Sequence, residues 1–458
     1  MWFDGGQVAT GWSGRRNGMF RLPTEFRFTG PFRVGGAMVL VAALMLTACR
    51  AEAPTQKSSS SLVHSASSAT LRARSSTRAQ AEQPSPYVPQ YGDVVFLGPQ
   101  LGWVDGYTCA TVGCPAFALK TTDGGKTWTE TVLPSMVAGA MTFLNANDGW
   151  LSGSGPAVCG TNCRYVLMAT TDGGASWHTV YQSQTALDEV QFVSPTLGFA
   201  STQGSFNQCA AFLKTTDGGR TWTPVQGAPV PMGSYGFQFV SASRGWLVGQ
   251  SCVSGLAKAR EANPLLPPVT GQVGIFVTTD GGAHWVEQWS IELGDAGGSG
   301  VDMWNGTDGW AYVTNQSECA MGGCWASLYQ TTNGGATWTE IQSQSHWTAS
   351  LTGDAGGFMA RSLFISPEVG WITFRGGAAT SGAVGVTTDG GVQWAIRGPS
   401  GYWSPQNIAP ISATQAWVVG VRNNLQGPTD PAFLAHTNDG GKIWSTVIPD
   451  ITHLRDGG

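Results

Sequence analysis

Charged side chains are scarce in this 458-residue chain, at 12% of residues, and there are only six histidines. The chain has no G-x-S-x-G, H-E-x-x-H, Walker A or C-x-x-C-H pattern, so the signatures of α/β-hydrolases, zincins, P-loop enzymes and c-type haem proteins are missing. Residues 1–92 hold ten Lys/Arg and four Asp/Glu, which leaves 14 basic and 25 acidic residues for 93–458. An acidic region without a basic stripe argues against nucleic acid as a partner.

One short phrase, T-D-G-G-x-x-W, occurs seven times at intervals of 45 to 63 residues. Asn replaces Asp in the fifth copy, and Asn replaces Thr in the seventh. The acidic or Asn positions are Asp123, Asp172, Asp217, Asp280, Asn333, Asp389 and Asp439. The closing tryptophans are Trp128, Trp177, Trp222, Trp285, Trp338, Trp394 and Trp444. A fixed period of this length indicates a repeat architecture.

Each copy follows a Gly-Trp pair, which becomes Gly198-Phe199 and Ala416-Trp417 in two units, and a short apolar run lies further upstream. The runs are rich in Val, Phe, Thr and Trp and end at Gly, Asn, Asp or Ser, which is typical of short β-strands. Four strands per unit and seven units predict an all-β, seven-bladed β-propeller with four antiparallel strands per blade. A solenoid is the alternative architecture.

The repeated residues have structural interpretations. Asp in a tight turn accepts hydrogen bonds from amides just downstream, and the glycine pair allows positive φ. The following Trp buries a large ring, which we expect to pack against the adjacent blade. We expect no catalytic role for these aspartates and predict neither a metal nor a cofactor. Calcium binding is the alternative, although the spacing of an EF-hand is missing.

The phrase resembles the Asp-box, or BNR, repeat over about residues 93–449. That repeat occurs in sialidases, two-propeller xyloglucan-cleaving glycosidases, sortilin-type receptors and photosystem II stability and assembly factors. With Gly-Trp ahead of T-T-D-G-G-x-T-W, the motif most resembles that of the assembly-factor group. The resemblance implies the propeller scaffold, and its members differ in task.

An apolar run at 34–47 follows Arg21, Arg27 and Arg33 and ends in Leu46-Thr47-Ala48-Cys49. This is typical of a secretory signal, predicted here for residues 1–48. The last four residues resemble a bacterial lipobox, which implies cleavage before Cys49 and lipid attachment to that residue. The alternative is an ordinary signal peptide with a stray cysteine. The predicted location is the bacterial cell envelope, outside the cytoplasm.

Domain boundaries follow from composition. Residues 49–92 are rich in Ser, Ala, Thr, Gln and Pro and read as a disordered, lipidated tether. The propeller is predicted for 93–450, and 451–458 form a tail. This arrangement holds the propeller away from a membrane surface through the lipid on Cys49.

Eight cysteines remain beyond Cys49, and an even set in an exported chain indicates disulfides. Three pairs are close in sequence, and the other two cysteines would link the third blade to the fourth. The eight are Cys109, Cys114, Cys159, Cys163, Cys209, Cys252, Cys319 and Cys324. Zinc binding by the close pairs is the alternative, although no C-x-x-C spacing occurs.

Loops between second and third strands share a propeller face with the connections between blades, and we expect binding on this loop face. Aromatic side chains there could hold a protein or a glycan, or could pack within the ring. The candidates for binding are Tyr235, Trp347, Trp403, Arg361 and Arg375, of which Trp347 and Trp403 are expected to be the most exposed.

A glycosidase needs two nearby carboxylates, and a sialidase also needs an arginine cluster. The candidates, if the chain is an enzyme, are Asp105, Asp188, Asp302 and Asp354. No spacing marks a pair among them. The sequence therefore favours a non-enzymatic binding or assembly platform, with a sialidase-like or xyloglucanase-like glycoside hydrolase as the alternative.

Overall fold

The computed structural model describes most of the chain beyond its N-terminal 88 residues. The described residues are 89–108, 115–134, 137–155, 164–202, 210–229, 236–250, 271–293, 296–320, 323–343, 358–375, 381–397, 403–422, 432–449 and 451. Within them, no helix is long and apolar enough to span a bilayer.

The described chain forms 28 strands in seven consecutive sets of four. Blades 1 to 4 are β1 (Gln90–Phe96), β2 (Gly102–Tyr107), β3 (Ala116–Thr121), β4 (Thr129–Leu133); β5 (Val137–Phe143), β6 (Gly149–Ser154), β7 (Tyr165–Thr170), β8 (His178–Ser183); β9 (Leu187–Phe192), β10 (Gly198–Thr202), β11 (Phe212–Thr215), β12 (Thr223–Pro224); β13 (Gly236–Phe239), β14 (Gly245–Gln250), β15 (Gly271–Thr278) and β16 (Val286–Leu293). Blades 5 to 7 are β17 (Ala296–Met303), β18 (Gly309–Ala320), β19 (Gly323–Thr331), β20 (Thr339–Gln342); β21 (Phe358–Phe364), β22 (Gly370–Arg375), β23 (Ala383–Thr387), β24 (Ala395–Arg397); β25 (Trp403–Pro410), β26 (Ala416–Arg422), β27 (Ala432–Thr437) and β28 (Ser445–Val447).

These sheets confirm the predicted seven-bladed β-propeller. Within each sheet the four strands are neighbours in chain order, and every pairing is antiparallel. The first strands of successive blades contact one another around the ring, so they line the axis. Strand β25 of blade 7 contacts β1 of blade 1, so the ring closes by packing and each blade keeps its own four strands.

The apolar core is divided among the junctions between blades. The cluster at the junction of blades 1 and 2 contains Trp103, Leu133, Phe143 and Trp177. The cluster at the closing junction joins Val94 and Phe117 of blade 1 to Trp417 and Leu434 of blade 7. Since one blade cannot bury its own faces, the ring is stabilised by these shared cores.

The glycine of a Gly-Trp pair makes room for an aromatic ring in most blades, and Gly309 makes room for Met303 in blade 5. Phe96 lies opposite Gly102, and a Cβ added to that glycine would be 2.5 Å from the phenyl ring. In blade 7 the opposing residue is Pro410, and here Ala416 replaces glycine. The change from glycine to alanine therefore follows from the smaller neighbour across the strand pair.

The tryptophan of the Gly-Trp pair crosses to the next blade. The Trp103 ring stacks on Phe143 of blade 2 at 3.7 Å between centroids, and Trp177 meets the same phenyl ring edge-on at 5.9 Å. The same sandwich recurs with centroid distances of 3.6 Å for Trp150 on Phe192 and 3.5 Å for Trp310 on Phe364. These stacked and edge-on rings stabilise the junctions mainly through the apolar area that they remove from water.

The indole N–H of the same tryptophans reaches the backbone of the next blade. Trp103 Nε1 donates to the Gly173 carbonyl at 2.9 Å, and Trp310 Nε1 donates to the Gly390 carbonyl at 2.9 Å. Each acceptor belongs to a D-G-G turn. The Gly-Trp phrase thus provides both a stacked ring and a directional contact between adjacent blades.

Blade 3 departs from this pattern, because it has Phe199 in place of the tryptophan. The Phe199 ring still stacks on Phe239 at 3.6 Å, but it has no N–H to donate. Lys214 donates to the Gly281 carbonyl at 3.0 Å instead and lies 5.5 Å from the Phe199 ring centroid. A lysine therefore replaces the missing indole donor.

Candidate functional site

The D-G-G turns are held by their own side chains. In blade 1, Asp123 Oδ1 accepts the Thr127 amide at 2.9 Å and Oδ2 accepts the Thr127 hydroxyl at 2.7 Å. The Thr121 hydroxyl donates to Asp123 and accepts the Gly125 amide at 2.8 Å. These bonds, led by the Thr127 amide, lower the pKa of Asp123 to about 2. The carboxylate is occupied with the turn rather than with a ligand.

Each D-G-G turn also bonds to the turn between the first two strands of its blade. Gly124 N–H donates to Gln100 at 2.9 Å in blade 1, and Gly440 N–H donates to Thr414 at 2.9 Å in blade 7. Both kinds of turn therefore lie on one face of the ring, which we call the Asp-box face after the repeat that the D-G-G motif resembles. The loop face, with the connections between blades, is on the opposite side.

The first strands carry polar side chains that bridge adjacent blades. Asp93 accepts the Met141 amide at 3.1 Å, and Glu189 accepts the Phe237 amide at 3.3 Å. Asp302 accepts the amide of Phe364. These acceptors bind backbone donors of the next first strand, as buried polar groups require.

The bridges continue through amide side chains across the closing junction. Gln238 accepts the Met303 amide between blades 4 and 5. Arg361 Nη1 donates to Asn407 Oδ1 at 3.3 Å, and Asn407 Nδ2 donates to the Gly92 carbonyl at 3.1 Å. The axis of the propeller is thus lined by inter-blade hydrogen bonds, which sequence analysis did not identify. The available signal was the presence of polar residues such as Asp93, Gln238 and Asn407 among the apolar residues of the first strands.

Burial near the axis raises the pKa of two carboxyls. Loss of hydration raises the pKa of Glu189 to about 7, against the attraction of Arg361 and the Phe237 amide. Loss of hydration likewise raises the pKa of Asp302 to about 7, opposed by the Phe364 amide and Arg361. Arg361 therefore faces carboxyls of other blades, and it lies at the axis rather than at a surface arginine cluster.

Asp105 was a candidate catalytic carboxylate in the sequence analysis, but the structure places it away from any surface. It lies inside β2, is fully buried, and accepts the Asp93 amide at 2.6 Å. That amide belongs to a bulge in β1, where the register shifts between Tyr91 and Val94. Burial and the nearby Asp93 raise the pKa of Asp105 well above its usual range.

Serines hold the equivalent bulges in two other blades, which explains the place of Asp105. Ser152 accepts the Ala140 amide at 3.2 Å in blade 2, and Ser201 accepts the Glu189 amide at 3.2 Å in blade 3. Asp105 and Asp93 do form a close carboxyl pair, but both are buried, at 0% and 5% exposure. A polysaccharide has no access to them.

Trp403 was predicted to be exposed, and that prediction was wrong. It is 4% exposed and packs against Phe433 at 4.7 Å and Trp444 at 5.4 Å between ring centroids. Arg375, at the end of β22, is exposed. Among the candidate catalytic carboxylates that the structure describes, Asp188 is exposed, whereas Asp105 and Asp302 are buried.

Several predicted positions lie outside the described residues. They are Cys49, Tyr235, Trp347, Asp354, Cys109, Cys114, Cys159, Cys163, Cys209 and Cys252. Cys319 falls in β18 and Cys324 in β19, and their side chains are outside the description. The disulfides and the lipid anchor stay predictions. Among the described residues, no group of three or more His, Cys, Asp or Glu could hold a metal ion.

The loop face carries a pocket of about 240 Å³ between blades 2 and 3. Ser152 and Ser154 of β6, Tyr165 of β7, Tyr181 of β8 and Asp188 of β9 are among the residues that line it. It joins the end of the second strand, the start of the third and the connection to the next blade. The pocket brings Asp188 close to tyrosines that sequence analysis did not associate with it.

Comparison with known proteins gives the following findings. No family model and no curated protein matches the chain. Among solved structures, YCF48 bound to D1 peptide is 16% identical with a TM-score of 0.46, covering 77% of this chain and 94% of that one. The GH74 xyloglucanase from Xanthomonas campestris is 13% identical with a TM-score of 0.42, covering 80% and 70%.

A third similar structure is the PL25 ulvan lyase bound to a sugar. It is 10% identical with a TM-score of 0.48, covering 82% of this chain and 95% of that one. The fold described above rests on the strand order of this chain.

Proposed function

We propose that the chain is an exported, lipid-anchored propeller that acts as a non-enzymatic binding or assembly platform. Its loop face would hold a protein or a glycan. Cys49 would carry the lipid, and residues 49–92 would tether the ring to the membrane. Neither a cofactor nor a nucleic acid is part of this proposal.

The main support is that two of the candidate catalytic carboxylates are buried and accept hydrogen bonds from the backbone. Asp105 accepts a bulge amide within blade 1, and Asp302 accepts the Phe364 amide between blades 5 and 6. Both are buried. A glycosidase requires two carboxylates that reach opposite sides of a bound sugar. These two groups are committed to the scaffold.

Further support comes from the shape of the loop face. The pocket between blades 2 and 3 is smaller than the roughly 300–1,000 Å³ clefts that enclose small ligands. It is sized for a single side chain or sugar unit that belongs to a larger partner. Loops on a rigid scaffold are the usual place for such recognition.

Glycoside hydrolysis is the second candidate function, and Asp188 is the observation that favours it. It is exposed at the pocket, and Asp354, which lies outside the described residues, stays the candidate for a second carboxylate. Hydrolysis would need this pair, or an equivalent one, to lie about 5 to 10 Å apart.

Turnover separates the two functions. We expect the protein, prepared under conditions that allow its predicted disulfides to form, to release no sugar from sialosides, xyloglucan or other β-glucans. Sugar release that is abolished by Asp188→Asn or Asp354→Asn, and retained in Asp148→Asn on the Asp-box face, would establish the hydrolase and end the platform proposal.

Membrane attachment has its own test. Cells that express the full chain with labelled fatty acid should show label on the protein, and Cys49→Ala should remove it. Equal labelling of both forms, or release of the unchanged protein into the soluble fraction, would contradict the anchor.

A further inference from the structure

The pocket between blades 2 and 3 lies beside Ser152, a small second-strand residue that recurs in blade 3 as Ser201. Ser152 lies two residues after Trp150, and its counterparts in blades 4 and 7 are Val248 and Val419, both fully buried in junction cores. The Ser152 hydroxyl is held by the Ala140 backbone at 3.2 and 3.3 Å. The second strand therefore leaves space without leaving a buried polar group unpaired.

Strand register places two tyrosines on the wall of this space. Tyr165 pairs with Ser154 and Ser183, and Tyr181 pairs with Leu167. Residues opposite each other and residues two apart share a face, so Tyr165 and Tyr181 are diagonal neighbours on one face of blade 2. Both line the pocket.

The chemistry of the lining is acidic and aromatic. Asp188 is exposed and lines the pocket, and its charge is one of the influences that raise the pKa of the adjacent Glu189. The lining includes hydroxyls and apolar groups, but none of its described members is Lys, Arg or His. Tyrosine rings and a carboxylate together favour an organic cation.

We propose that this pocket receives the lysine or arginine side chain of a partner protein. The proposal rests on the platform function above and specifies the chemistry of the partner. The acidic balance of residues 93–458 would also accelerate the approach of a basic surface. The alkyl stem would lie against Tyr165 and Tyr181 while the charged end meets Asp188.

The test uses the full-length protein with ring-labelled tyrosine and follows Tyr165 and Tyr181 by NMR. Nα-acetyl-lysine amide should shift both ring signals in a saturable way, and Nα-acetyl-norleucine amide, which lacks the charge, should not. Asp188→Asn should weaken the lysine probe at least about threefold. Asp148→Asn makes the same charge change in blade 2 on the Asp-box face and should leave binding unchanged. Raising the salt concentration should weaken binding.

Three outcomes would overturn the proposal. Equal shifts with the norleucine probe would make the pocket apolar rather than cation-selective. Unchanged affinity in Asp188→Asn would remove the carboxylate from the site. Shifts with a disaccharide but not with the lysine probe, or no shifts with either, would reject a basic side chain as the occupant. The turnover assay reads out the platform function separately, because a protein without glycosidase activity can still fail this binding test.

Discussion

The two faces of the propeller differ in how much they repeat. On the Asp-box face, seven turns have nearly the same residues, and their polar side chains satisfy their own backbone. On the loop face the blades differ, and one junction has a pocket lined by Tyr165, Tyr181 and Asp188. In this chain the residues that repeat in every blade stabilise the fold. Residues that depart from the repeat either replace a missing contact, as Lys214 does, or line the pocket.

The largest effect is expected where the repeat connects adjacent blades. Trp310→Ala should lower the free energy of unfolding by about 3–5 kcal/mol, because it removes a buried stacked ring and the bond to Gly390. Urea denaturation measures this loss. The matched control is Trp304→Ala, since Trp304 is 46% exposed, and it should change stability by less than about 0.5 kcal/mol. Similar losses in both variants would contradict the proposed role of the crossing indole.

A smaller effect is expected within a single turn. Thr215→Val leaves the Gly219 amide without its acceptor at 3.0 Å, in a buried position, so it should cost about 2 kcal/mol. Thr223→Val, on the exposed outer strand β12, removes a hydroxyl of the same kind and should be nearly neutral. If the two substitutions destabilise equally, the turn is not held by its threonine.

The axis of the ring and the Asp-box face respond to pH in opposite directions. Glu189 and Asp302 have pKa values raised to about 7, so their favourable contribution is complete below about pH 4 and is lost as pH rises through 7. Asp123 and Asp217 have pKa values lowered to about 2, so their contribution is lost as pH falls from about 4 toward 2.

Thermal stability should therefore be highest near pH 4 to 5 and should fall by on the order of 1–2 kcal/mol toward pH 8. Scanning calorimetry across pH measures this. Glu189→Gln keeps an acceptor for the Phe237 amide and should raise Tm at pH 8 while changing little at pH 5. A variant that follows the wild-type profile would show that Glu189 does not titrate in this range.

The smallest effect tests compensation in blade 3. Lys214→Met should cost about 1 kcal/mol, because it removes the bond to the Gly281 carbonyl. In a Phe199→Trp background the restored indole can donate instead, so the same substitution should cost less. A double-mutant cycle measures this coupling, and strictly additive losses would mean that Lys214 does not replace the indole.

The architecture could be predicted from the sequence because the repeat sets both the strand pattern and its count. The roles of particular residues were harder to predict. Trp403 is flanked by polar residues, yet it is buried because Phe433 and Trp444 cover it. Asp105 has an acidic side chain, yet its place in β2 is the one that Ser152 and Ser201 hold in the next two blades.

The pocket could not be predicted from any single strand. It depends on the small volume of Ser152, on the strand register that aligns Tyr165 with Tyr181, and on the start of β9, where Asp188 lies. These features lie far apart in the repeat and meet only when neighbouring blades pack. Ser201 holds the same place in blade 3, so the serine alone does not predict the pocket.

The closing junction has a consequence for how the ring can come apart. The first and last blades share no strand, and blade 7 contains no cysteine. No disulfide can therefore join blade 7 to blade 1 across this junction, which we call the seam. The seam is held by the Phe96 and Trp417 rings, the edge contact of Trp128, and the bond from Asn407 to Gly92. A circular permutant could move the chain ends to another junction and join the present termini across the seam. The ring would then open at the new site, while blades 7 and 1 would become an ordinary pair.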